Sequence, residues 1–200
     1  MCSMCPRNCR GVTLIELVVF IVIVGVAMAG VFAAFNTITA ASADPQVRKQ
    51  ALAIAESLMD EVQLMPFTFC DPDDANAAIA TNSTLGVGGC ATLSEDTAMG
   101  PEGTCPGVGC ESRYSTTLRF DNVSDYHGFA MSAGIQDIDN NTVSGLGAYT
   151  ASITIARAGT ALGLAADAEA LKISVLVTGP GSVSITLEGY RTRYAPNTLP

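Results

Sequence analysis

The chain has no tryptophan and a single histidine, and only 14% of its 200 residues are charged. Basic residues are scarce: 10 Lys+Arg stand against 19 Asp+Glu, a formal net charge of −9. That shortage excludes a nucleic-acid binder, which needs a basic face to neutralise phosphates. With His127 as the one histidine, no Ser or Cys can be paired with a second candidate base. No Gly-rich loop carries a phosphate-binding Lys. An enzyme is therefore not expected, and no cofactor is implied. Long apolar runs are also absent, with one exception. Residues 12–35 hold about 20 apolar side chains, and outside that window the apolar share falls from 48% to about 43%, ordinary for a globular chain. A polytopic membrane protein and a disordered chain are both excluded. What is left is one membrane-length segment joined to one acidic domain rich in Gly, Ser, Thr and Ala.

The segment before the apolar run, MCSMCPRNCRG, carries Arg7 and Arg10 and no acid. The positive-inside rule places it in the cytoplasm and the following domain across the membrane. The apolar stretch is longer than that of a secretory signal, and no A-x-A site ends it. Cys2, Cys5 and Cys9 give three thiols on a short basic tail, one short of an iron–sulfur set. Accidental cysteines are the simpler reading.

Glu16 is the one carboxylate in the apolar run. Such a group costs about 2.5–3.5 kcal/mol at a membrane helix centre and less near an end. Position alone leaves two readings open: a terminal residue reaching headgroup water, or a charge kept for a partner charge. The surrounding pattern, Arg10-Gly11-Val12-Thr13-Leu14-Ile15-Glu16-Leu17, resembles the cleavage and methylation site of type IV pilins and pseudopilins. The resemblance implies that prepilin peptidase cuts between Gly11 and Val12 and methylates the new Val12 amine. It implies that Glu16 neutralises the α-amine of a neighbouring subunit, a pairing that offsets the cost of either charge alone. Val12 departs from the Phe usual at this position. Loss of Arg7 and Arg10 with the leader would take the formal charge from −9 to −11.

Beyond the apolar run, Asp44-Pro45 reads as a helix start or a kink. Val47, Ala51, Ile54, Ala55, Leu58, Val62 and Met65 then recur at helical spacing, with Arg48, Lys49, Glu56, Asp60 and Glu61 on the remaining surface. Pro66 ends the pattern. Residues 67–112 show no period and hold Cys70, Cys90, Cys105 and Cys110. An even number of cysteines in a non-cytoplasmic segment points to disulfides. Three pairings are open, and Cys70–Cys90 with Cys105–Cys110 is favoured as the simplest local closure. The spacing supplies only one close pair, which argues against zinc. Asp71, Asp73 and Asp74, and separately Asp137, Asp139 and Asn141, form acidic runs. The second is a weak calcium candidate, but neither run has the Gly and closing Glu of an EF-hand. Solvated loops are expected at both.

The C-terminal part, 113–200, alternates. Four strands are expected, on Tyr114–Phe120, Tyr149–Ile155, Leu171–Val177 and Val183–Leu187, with a turn at Thr178-Gly179-Pro180-Gly181 and a small-residue insertion at 158–170. The organisation is thus a leader (1–11), a transmembrane half-helix (12–35), an amphipathic half-helix (36–66), a cysteine-bearing loop (67–112) and a sheet domain (113–200). The fold class is α+β, a long N-terminal helix packed on a four-stranded antiparallel sheet, which resembles the pilin lollipop. Residues 50–61, 69–72, 120–128 and 187–196 look like a minor pilin-like component of the mannose-sensitive haemagglutinin (MSHA) type IV pilus. That resemblance implies major and minor pilin subunits and the inner-membrane assembly platform as partners. It implies an inner-membrane precursor with a periplasmic domain that moves to the pilus at the cell surface. Two alternatives stand beside it: a type II secretion pseudopilin, and an uncleaved bitopic protein with a periplasmic binding domain.

Overall fold

The computed structural model describes residues 12–96, 99–103, 105, 107 and 109–197, with the side chains of 37–44 outside the description. The chain divides into two compact units, Met1–Pro45 and Gln46–Pro200. One helix, α1 (Leu14–Leu64), contributes to both. It runs through Asp44-Pro45 rather than starting anew there. Pro45 lacks the N–H that would bond one turn back, and the division between the units falls at this residue.

In the first unit, the helix is apolar on every side. Leu14–Asn36 is 23 residues long, with a mean hydropathy of 2.9 and no buried residue. A helix of this length measures about 34 Å, enough for a hydrocarbon core of about 30 Å. An evenly apolar helix has no face to present to water, so its partner must be apolar as well.

In the second unit the pattern becomes periodic. Ala51, Ile54, Ala55, Leu58 and Val62 are buried in the main core, as the spacing predicts; Val47 and Met65 of the same face are partly buried against it, and Met59, outside the predicted face, is buried as well. The core also takes Ala151, Ile153 and Ile155 from β2 (Thr150–Arg157), and Leu171, Ile173, Val175 and Val177 from β3 (Ala170–Gly179). Alternate residues of these strands face outward, the period of a sheet with one dry face. The sheet has four antiparallel strands in the order β1-β2-β3-β4, with β1 at Ala130–Met131 and β4 at Val183–Thr192. Its register aligns Ile153 with Val175 and Val175 with Leu187. Gly189 on β4 marks a close approach: a Cβ there would lie 2.8 Å from Met59 Sδ. Tyr149 donates its hydroxyl to Gln50 Oε1 at 2.6 Å.

The first strand is not where alternation places it. Residues 114–120 form bends, and the edge strand is the short β1. The cause is local. Ser115 Oγ accepts the N–H groups of Thr117 and Leu118, and the Ser112 N–H donates to the Leu118 carbonyl. Serine side chains thus offer the backbone a turn in place of a ladder. The insertion between β2 and β3 forms two short 3-10 turns, Thr160–Leu162 and Asp167–Glu169, tied by Asp167 Oδ1 accepting the Thr160 hydroxyl.

Candidate functional site: the N-terminal processing segment

Val12 and Thr13 precede the helix in non-helical conformation, and Val12 is exposed. Thr13 Oγ1 accepts the N–H of Glu16 at 3.3 Å, and the Thr13 carbonyl accepts the N–H of Leu17 at 3.1 Å. Thr13 is therefore the N-cap of α1. Its Thr-x-x-Glu spacing, Thr13 to Glu16, is a capping signature legible in the sequence. Glu16 falls at the third helical position, where the helix N-terminus favours a negative charge. It is the only ionisable side chain between Leu14 and Asn36, and it is exposed. Among the described residues no ion pair includes it. The cap thus sets the helix to begin two residues after Val12 and holds a carboxylate at the very end of an apolar rod. Gly11, Arg7, Arg10 and the three leader cysteines lie outside the described residues.

The other singled-out residues are all in the second unit. Cys70 is bridged to Cys90 and Cys105 to Cys110. Cys70 and Cys90 are fully buried with Ala77 and Ala80 in a small core of their own, against Phe69. Asp137 Oδ1 accepts the N–H groups of Asp139 and Asn141, so this run is a hydrogen-bonded turn. Asp71 and Asp74, expected in a solvated loop, are instead buried, while Asp73 is exposed. Asp74 is a structural knot. Its carboxylate accepts the N–H groups of Asn76, Ala91, Thr92 and Leu93. Burial works against its charge, but these donors outweigh it and hold the group well below the usual carboxylate range. Such a knot is invisible in sequence, because three of its four backbone donors lie 17 to 19 residues away.

Glu61, expected on the polar face of the helix, is a partner rather than a solvated charge. It receives Arg113 Nε at 2.6 Å and Nη2 at 2.8 Å, and also the Tyr126 hydroxyl at 2.8 Å. His127 Nδ1 accepts the N–H of Ile155, which ties a turn to β2.

Residues 6–32 match the family model described as the prokaryotic N-terminal methylation motif. The match contains Gly11, Val12 and Glu16. The chain therefore carries a prepilin-type N-terminal methylation motif, as found in membrane-anchored, N-terminally modified proteins. No curated protein and no solved structure matches the chain.

Proposed function

We propose that the chain is a minor pilin-like subunit that takes part in assembling a type IV pilus, at initiation or capping. Prepilin peptidase removes the leader between Gly11 and Val12 and methylates the Val12 amine. The domain then lies in the periplasm until the subunit joins the filament with major and minor pilins at the inner-membrane platform. Within this reading the chain performs no catalysis; it contributes a helix and a surface. The pilus type is the MSHA type, on the resemblance of residues 187–196 and the other quoted segments to its minor pilin-like protein MshD.

The observation that carries the reading is the coincidence of the matched motif with an apolar rod that has no buried residue and bears one terminal carboxylate. In a bundle of such rods, Glu16 of one subunit meets the α-amine of another. Either charge alone in apolar surroundings is costly, and the pair offsets that cost. The test is Glu16→Ala in cells that make the pilus. Incorporation into sheared filaments should fall while the Gln46–Pro200 unit keeps its stability. Wild-type incorporation by the variant would remove the charge-pairing role. Co-purification with secretion-system pseudopilins instead of pilins would move the chain to a type II secretion assembly.

A further inference from the structure

Carboxylates converge in the loops between Cys70 and Tyr126. Asp71, Glu95, Glu111 and Asp125 are all buried, with Asp125 at 0% exposure and Glu95 at 2%. Oxygens of Asp71, Glu95 and Glu102 lie within 4.8 Å of one another, as do those of Glu102, Glu111 and Asp125, and those of Asp71, Asp73 and Asp121. Shared members join the three groups into one cluster.

The hydrogen bonding of the cluster is one-sided. Glu95 Oε2 accepts the Ser124 hydroxyl, while its buried Oε1 has no partner. Asp125 Oδ2 accepts the N–H groups of Asp121 at 2.9 Å and Asn122 at 2.7 Å, while its buried Oδ1 has none. Glu102 Oε2, Glu111 Oε2 and Asp121 Oδ1 are likewise buried and unpartnered. Among the described residues the ion pairs are Arg113–Glu61, Lys172–Glu188 and Arg193–Asp96, and none involves the cluster. Buried polar atoms are normally paired, so buried carboxylate oxygens gathered with no cationic side chain call for a cation, or for protons shared within acid pairs such as Glu95–Glu102 and Glu102–Glu111.

We propose that this cluster is a calcium site. The donors are all hard oxygens, more numerous than the one or two carboxylates magnesium usually takes. No imidazole or thiolate is present in the cluster to favour zinc or copper. The anchored oxygens of Glu95 and Asp125 fix those two carboxylates, as outer hydrogen bonds do for metal ligands.

The disulfides frame this site. Asp71 follows Cys70, whose bridge to Cys90 holds the first loop. The bridge Cys105–Cys110 closes a short loop whose ends carry Glu102 and Glu111, and the Glu111 N–H donates to the Glu102 carbonyl at 3.1 Å. Gly103 has a φ of +89°, and a Cβ on it would meet the Gly109 carbonyl oxygen at 2.0 Å. The two strands of that loop can approach only because this position is glycine. Burial, reinforced by neighbouring carboxylates, pushes Glu95 up to about 7 and Glu111 to about 8.

The test uses the full chain in detergent, stripped with chelator and titrated with calcium chloride near neutral pH. Calcium should give a saturable binding heat and raise the unfolding temperature. Magnesium at the same concentration should shift unfolding less. Glu95→Gln, close in size, should weaken calcium binding at least about tenfold. Glu102→Gln, at a half-buried position, gives the same reading if Glu95→Gln does not fold. Asp137→Asn should bind as wild type. Absence of binding heat and of any unfolding shift up to about 10 mM calcium would overturn the site, leaving a cluster of protonated acids. Wild-type affinity in both glutamine variants would overturn the ligand assignment.

Discussion

The two parts of α1 are both rich in apolar residues and treat them in opposite ways. Between Leu14 and Asn36 no residue is buried. Between Gln46 and Leu64, Ala51, Ala55 and Val62 have no exposed surface at all. The sequence difference is one of pattern. The first stretch is apolar at every phase and has one charge. The second buries one apolar stripe, leaves Leu52 and Leu64 exposed, and sets Arg48, Lys49, Glu56 and Asp60 around the stripe. A stripe finds its partner inside its own domain. A rod apolar on all sides needs a partner from outside, whether lipid or other rods.

Core truncation should separate the two parts most sharply. Ile173→Ala removes a side chain with no exposed surface and should destabilise the Gln46–Pro200 unit by about 2–5 kcal/mol in denaturant unfolding. Ile21→Ala, in the exposed rod, should change that same transition by less than about 0.5 kcal/mol. Equal losses would break the distinction.

Cross-links come next. Replacing Cys70 and Cys90 together by Ser should cost about 3 kcal/mol of the same transition. Losing Cys105 and Cys110 should cost less, because their loop is shorter. A larger loss from the second pair would contradict the loop-size argument.

The elements that were legible in sequence are those whose signal is local. The helix stripe, β2, β3, β4 and the turn at Pro180 follow from a period of 3.6 or 2 and from turn residues. The N-terminal motif was legible because its charge, its glycine and its apolar run lie within one short segment. The failures have two other causes, local side-chain turns and long-range loop closure. Residues 114–120 alternate like a strand, yet Ser112 and Ser115 turn the backbone on itself. The acids of residues 71–74 look solvated in sequence, and only long-range loop closure shows that Asp71 and Asp74 are enclosed. The carboxylate cluster draws on positions from 71 to 125, so no spacing rule could assemble it.

Acid sensitivity should sharpen the contrast further. The Asp74 carboxyl is held low by backbone donors against its burial, and Asp96 is held low by Arg193, also against its burial. A depressed carboxyl contributes stability above its unfolded pKa of about 3.9, and that stability is lost as the pH falls below it. Asp74 and Asp96 should therefore each contribute a loss of Gln46–Pro200 stability on acidification below about pH 4, set against buried carboxyls such as Asp121 that burial holds high and whose contribution has the opposite sign. Asp96→Asn should flatten that slope, and an unchanged slope would remove Asp96 from the account. The smallest effect belongs to the cap. Thr13→Ala should weaken the first helical turn by about 1 kcal/mol, visible as faster amide exchange at Glu16, with no change in domain unfolding.

Removal of the leader ahead of the rod can be read from a single mass. Intact-mass analysis of the membrane-extracted protein, from cells that contain prepilin peptidase, reads its N-terminus. A chain beginning at Val12 with a methylated amine is the predicted result. A chain still beginning at Met1 would contradict it and leave an uncleaved, membrane-anchored binding domain in its place.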